Sequence, residues 1–294
     1  MEGSAVARET PNRGVALGYG ARSVLRAVTS GGSVYRIRTW ATGLCAAFTL
    51  LVVGVIGAGP AFALADGVAA TSGQFPFAVK LVMTGIPSPS GGTYDSGCSG
   101  ALISATWVIT AGHCFHDVNR NRVSGAAPYP TTATFNTATT DPAESGAITL
   151  SIDTVQQSTS ADIAVAHLVG STTVTPLHLS TSRPVKGETV TMAGWGATSD
   201  VNPAPSDQLY WGRMKVSGYS STTVSATGSY PSRDTSACLY DSGAPYFLTP
   251  AGSAPLLVST ESNGPNCPHT SAETTARVDD QVSWIRTVVT DLPQ

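Results

Sequence analysis

At 294 residues, with 16 Lys and Arg against 19 Asp and Glu for a formal charge of −3, the chain is long enough for one or two domains with a substantial core. Its 41% hydrophobic content marks a soluble globular protein, not a disordered one. The acidic balance excludes nucleic acid as a partner, because phosphate binding needs clustered positive charge.

The first 63 residues differ from the rest. They carry six Arg, no Lys and only Glu2 and Glu9 as acids, followed by an apolar run over about 41–58. A basic leader, an apolar segment and the small-residue triplet Ala61-Phe62-Ala63 form the pattern of a secretory signal, so residues 1–63 are read as a leader and 64–294 as the exported domain. The run approaches the ~18–20 residues that span a bilayer, and a membrane anchor through 41–58, if the leader is retained, is the alternative. Taking six Arg and two Glu from the totals leaves 10 basic and 17 acidic residues, a formal −7.

Beyond the leader the chain alternates short Val, Ile, Leu and Thr-rich segments with Gly, Pro, Asn and Asp, an all-β pattern. Phe77–Met83, Ala147–Ile152, Thr189–Ala193 and Leu256–Thr260 read as strands, and the polar tract Thr131–Thr140 as a surface loop or edge strand. Val278, Val282 and Ile285 stand at i, i+4 and i+7, predicting a helix over about 279–290. Cys45 falls in the leader. Cys98, Cys114, Cys238 and Cys267 make an even set suited to two disulfides in an exported protein, with three connectivities open.

Three reactive side chains have informative surroundings. His113 closes an apolar, β-branched run, Ala101 to Phe115, and Asp162 opens the strand-like Asp-Ile-Ala-Val-Ala-His-Leu. Ser242 lies in Tyr240-Asp241-Ser242-Gly243-Ala244-Pro245. A Ser between Asp and Gly is by itself a turn. A serine hydroxyl becomes a nucleophile only with a base to take its proton and a third group to orient that base. His116, His167, His178 and His269 fit no motif and are assigned to surface or packing, and no His and Cys spacing suits a metal.

In this order His113, Asp162 and Ser242 resemble the trypsin and chymotrypsin-like serine proteases over roughly residues 64–290. Gly73-Gln74-Phe75-Pro76-Phe77-Ala78-Val79 resembles the family's first strand, and Ala193-Gly194-Trp195-Gly196 its Gly-Trp-Gly segment. The hexapeptide is similar to Gly-Asp-Ser-Gly-Gly-Pro with two positions changed. The resemblance implies two six-stranded antiparallel β-barrels, about 75–170 and 175–278, a cleft between them, a C-terminal helix, and the disulfides Cys98–Cys114 and Cys238–Cys267.

It also implies roles. Ser242 would attack a carbonyl, His113 would shuttle the proton, and Asp162 would hold the imidazole. The amides of Tyr240 and Ser242 would bind the oxyanion, and Ser259 would support Asp162. Tyr240 replaces a Gly at a position of demanding backbone geometry, so its ring is expected to crowd the leaving-group side. Leu64 would be the first mature residue, its new amino group pairing with Asp241. At the specificity pocket Ser236 and Ala237 occupy the base, where trypsin-like members keep an Asp. Ser259-Thr260-Glu261 is expected in place of the family's Ser-Trp-Gly, and Glu273 near the far wall, where it would supply charge for Arg or Lys side chains.

The function expected is a secreted, monomeric serine endopeptidase acting on polypeptides without a cofactor. A weak or inactive binding protein on the same scaffold and an esterase-like hydrolase are the rival readings.

Overall fold

The computed structural model describes residues 64–141 and 146–293; the leader, its apolar run, Cys45 and Ala61-Phe62-Ala63 lie outside the described residues. In chain order the first half holds β1 (Val68–Ala69), β2 (Ala78–Pro87), β3 (Thr93–Leu102), β4 (Trp107–Thr110), β5 (Gly125–Ala126), β6 (Thr131–Phe135), β7 (Ile148–Gln157) and β8 (Ala164–Leu168). The second half holds β9 (His178–Leu179), β10 (Thr189–Gly194), β11 (Tyr210–Tyr219), β12 (Thr223–Tyr230), β13 (Pro245–Leu248), β14 (Leu256–Asn263), β15 (Glu273–Arg277) and the helix α1 (Val282–Val288).

Strands β7-β6-β2-β3-β4-β8 are hydrogen-bonded in that order, and β8 returns to β7, closing a six-stranded barrel. Strands β11-β10-β13-β14-β15-β12 form the second, closed by β12 on β11. Both barrels are antiparallel throughout, so closure leaves no long open edge. Short β1 and β9 add to the second barrel from outside, β9 running parallel to β14.

The tract read as a loop or edge strand divides: residues 136–140 lie outside the named strands, but its first half is an interior strand. Thr131–Phe135 is β6, paired on both sides, with Thr131, Ala133 and Phe135 buried inside the barrel. Its β-branched Thr residues fit a pleated surface, and their hydroxyls disguise a period-two pattern. At the other end of the chain, Val278, Val282, Ile285 and Val289 turn inward and seat α1 on the core.

Aromatic packing joins the barrels. Phe247 of β13 meets Phe75 and Phe77 edge-on at ring distances of 5.5 and 5.1 Å. Ser99 of β3 adds polar contacts across the same seam: its amide donates to the Ser242 carbonyl at 2.9 Å, and its hydroxyl donates to the Tyr240 carbonyl at 3.1 Å. That hydroxyl also accepts the Trp195 amide at 2.9 Å. Disulfides join Cys98 to Cys114 and Cys238 to Cys267.

Candidate active site

His113 sits on a single 3₁₀ turn, Gly112–Cys114, that ends the β4 segment. Asp162 lies two residues before the start of β8, the neighbour of β4, so barrel pairing brings the two residues together. The amide of His113 donates to Asp162 Oδ1 at 2.8 Å, and its ring Nδ1 lies 2.7 Å from Oδ2. An ionised carboxylate only accepts, so Nδ1 carries the proton and Nε2 is left with a lone pair. That Nε2 lies 2.9 Å from Ser242 Oγ. The three groups can therefore draw the hydroxyl proton onto the imidazole while the carboxylate fixes its tautomer.

Asp162 has a further partner, and it is not Ser259. Ser262 Oγ donates to Asp162 Oδ2 at 2.8 Å. Ser259 is buried in the barrel, where it accepts the Thr275 hydroxyl at 2.7 Å. Residues three apart on a period-two strand face opposite ways, and β14 also carries a bulge between Glu261 and Asn263. Ser262-Asn263-Gly264, not Ser259-Thr260-Glu261, thus occupies the place of the Ser-Trp-Gly segment. Burial pushes the Asp162 carboxyl up, but the hydrogen bonds and charge of His113, with the Ser262 hydroxyl, outweigh it and hold the carboxyl below its usual range.

Ser242 follows a tight turn, Cys238–Asp241, closed by the Asp241 amide on the Cys238 carbonyl at 3.1 Å. Tyr240, its third residue, has φ +75°, the left-handed value that a type II turn asks of glycine. Among the described residues, the amides of Tyr240 and Ser242 donate to no carbonyl or side chain, leaving both free for an oxyanion. Gly243 also has positive φ, and a Cβ there would strike Thr110 Oγ1 and the Ser99 carbonyl. Glu261 clamps the strand that follows, its carbonyl accepting the Gly243 amide at 2.7 Å and its amide donating to Ala244 at 2.9 Å. The Ala244 methyl is fully buried in the second barrel's core.

Asp241 is fully buried. Its Oδ1 accepts the Gly196 amide at 2.8 Å and its Oδ2 the Cys238 amide at 3.0 Å, in a slot where Cβ atoms on Gly194 or Gly196 would overlap the carboxyl. Burial, only partly offset by the two amides, pushes Asp241 up to about 7. Among the described residues no cation faces it. Leu64 is buried with Val190, Met192 and Met214, and Ala65 bridges to Ser236, whose amide donates to the Ala65 carbonyl at 3.2 Å. In the continuous chain Leu64 has no free amino group, so its pairing with Asp241 is absent.

Two cavities flank Ser242. One, of about 290 Å³, is lined by His113, Ala237, Cys238, Glu261, Ser262 and Gly264 among others. The other, of about 200 Å³, is walled by Met83, Ile86, Tyr94 and Tyr240 beside the Cys98–Cys114 bridge. Ser236 is buried, donating its hydroxyl to the Asp234 carbonyl at 3.0 Å and accepting the His269 amide at 3.1 Å. Glu273 is also buried and accepts the Ala237 amide at 2.8 Å. His269, assigned from sequence to surface or packing, places Nε2 3.1 Å from Glu273 Oε1; the two lie at i and i+4 across a loop, where spacing carries no signal. Among the described residues no three His, Cys, Asp or Glu side chains converge on a metal position.

The family model for trypsin matches residues 64–285. Serine protease SP24D of Anopheles gambiae is 26% identical over 253 residues, 77% of this chain and 81% of that protein. Trypsin beta of Drosophila erecta is 25% identical over 247 residues, 76% and 87% of the two chains. Trypsin alpha-4 of Lucilia cuprina is 26% identical over 178 residues, and that match spans 61% of its own length, less than two thirds. With the family model covering well over half of its length and two closed six-stranded barrels as its architecture, the chain belongs to the trypsin family.

Proposed function

We propose that the chain is an exported serine endopeptidase that hydrolyses peptide bonds through an acyl-enzyme intermediate. The observation that carries this reading is the continuous hydrogen-bonded line Ser262–Asp162–His113–Ser242, with distances of 2.8, 2.7 and 2.9 Å, ending beside two free amides. Ser242 Oγ attacks the scissile carbonyl as His113 Nε2 takes its proton. Asp162 stabilises the imidazolium, which then protonates the leaving amine; water repeats the cycle on the acyl-enzyme. Donation from the amides of Tyr240 and Ser242 to the developing oxyanion is commonly worth ~3–4 kcal/mol per donor.

The basic leader and Ala61-Phe62-Ala63 support export. Among the described residues no helix is long and apolar enough to cross a membrane. Cleavage before Leu64 would release an ammonium for the buried Asp241. One observation favours an esterase-weighted variant: Tyr240 walls the cavity on the leaving-group side, where a peptide has more to accommodate than a small ester.

Labelling of the purified protein with a fluorophosphonate probe, abolished by Ser242→Ala, tests the nucleophile. Absence of labelling in the wild type would return the chain to a non-catalytic binding role. Casein digestion then separates peptidase from esterase.

A further inference from the structure

We propose that Arg120 makes the cavity on the leaving-group side of Ser242 a carboxylate-binding site, so that the released segment is favoured when it carries an acidic side chain or a free C-terminal carboxylate close to the scissile bond. The proposal rests on the endopeptidase reading and names what its leaving group carries.

Arg120 belongs to a short loop built to hold it. The loop leaves Phe115 and returns at Val123, whose amide donates to the Phe115 carbonyl at 3.2 Å, and the Asp117 amide donates to the Asn121 carbonyl at 2.8 Å. At its tip the Arg120 amide donates to the Asp117 carbonyl at 3.0 Å, closing a turn whose last position favours glycine. Arg120 takes that position with φ +66°. Such a left-handed backbone is uncommon outside glycine, and residues that keep it gather at functional sites.

The guanidinium is fixed as firmly as the backbone. It lies over the Tyr94 ring, 5.6 Å from the centroid. His116 is buried, and its Nδ1 lies 2.7 Å from the Asp117 carbonyl. A carbonyl only accepts, so Nδ1 carries the proton and Nε2 offers its lone pair to Arg120 Nη1 at 3.4 Å. The other N–H groups of the planar fork stay available, in the geometry that matches a carboxylate.

No carboxylate of the protein neutralises this charge. Asp117, in the same loop, accepts the amides of Asn119 and Asn121 at 2.8 and 2.9 Å and the Asn121 side chain at 3.1 Å. Asp95, beside Tyr94, accepts the Gly85 amide at 2.9 Å. Among the described residues Arg120 forms no ion pair with Asp or Glu.

The cavity of about 200 Å³ is lined by Arg120, His116 and Tyr94, by the apolar Met83 and Ile86, and by Ser242 itself. No Asp or Glu lines it. A single permanent charge among apolar walls is screened less than one facing open water, so it acts on whatever leaving group enters.

Partitioning of the acyl-enzyme tests the site. A small ester forms that intermediate, and added amines compete with water for it from the leaving-group side. Aspartic acid α-amide against asparagine amide reads an acidic side chain; glycylglycine against its amide reads a C-terminal carboxylate, each pair at equal free-amine concentration. In at least one pair the carboxylate-bearing amine should capture the wild-type intermediate about fivefold more readily, with the preference shrinking as salt rises. Arg120→Gln should abolish the preference and Arg120→Lys should keep part of it. Equal capture within both pairs by the wild type overturns the proposal, as does a preference unchanged in Arg120→Gln. Should that variant fail to fold, a wild-type preference insensitive to salt refutes the charge. Fluorophosphonate labelling keeps the two levels apart: labelling without a preference sinks the site alone, whereas no labelling sinks the endopeptidase reading with it.

Discussion

Ser262 Oγ and His113 Nδ1 donate to the same atom, Asp162 Oδ2, at 2.8 and 2.7 Å. A carboxylate oxygen with two donors is fixed in direction as well as charge. Ser262→Ala should therefore lower kcat for ester hydrolysis about tenfold with KM little changed, in line with ~1.5 kcal/mol for a hydrogen bond to a charged group. Ser259→Ala, which loses only the Thr275 contact, should cost stability and leave kcat alone. Steady-state kinetics of the two variants distinguish the roles, and equal losses in both would count against Ser262.

Tyr240 holds a left-handed backbone at φ +75° in a turn whose middle peptide presents the Tyr240 amide. A non-glycine residue there is strained by roughly 1–2 kcal/mol. In the alternative turn, with negative φ at that residue, the middle peptide is flipped and the amide leaves the oxyanion position. Tyr240→Gly should raise both the melting temperature and kcat toward small esters, and should open the cavity beside Met83 and Tyr94 to bulkier leaving groups. Unchanged kinetics on every substrate would sink this account.

Asp241 and Glu273 give stability an inverse pH dependence. Their folded values, about 7 and about 8, lie above the ordinary carboxyl values of 3.8 and 4.5. Below the ordinary values both states are protonated, and no differential exists. Between them the unfolded chain ionises first, so the folded state binds more protons and loses stability as pH rises, about 1.4 kcal/mol per pH unit for each group. Urea unfolding of the uncleaved chain should show stability falling by several kcal/mol from pH 5 to pH 8.5. Glu273→Gln should remove part of the slope; a slope identical to wild type would contradict it.

Cleavage before Leu64 would reverse the Asp241 contribution by supplying an ammonium. Secreted protein sequenced from its N-terminus should begin at Leu64, and should be more stable at pH 8 than the uncleaved chain. A different first residue would detach Leu64 from this role.

Closed β architecture was legible because short β-branched segments between turn formers persist along the whole domain, and His113, Asp162 and Ser242 each sat in a distinctive local context. Thr131–Phe135 was misjudged because threonine reads as polar in a sequence, although its methyl and Cβ branching suit a barrel wall. Ser262 was missed in favour of Ser259 because a bulge between Glu261 and Asn263 changes which side chains face the cleft, and no one-dimensional pattern announces a bulge. His269 and the unpartnered oxygens of Glu261 and Glu273 depend on contacts between separate loops and strands. Such contacts become visible only once the second barrel has closed.

Ser99 belongs to the first barrel, yet its amide and hydroxyl hold the carbonyls of Ser242 and Tyr240 in the second. The nucleophile turn is thus completed from outside its own half of the molecule. Neither half alone can therefore complete this turn, because its two carbonyls keep their Ser99 donors only while the two barrels are docked.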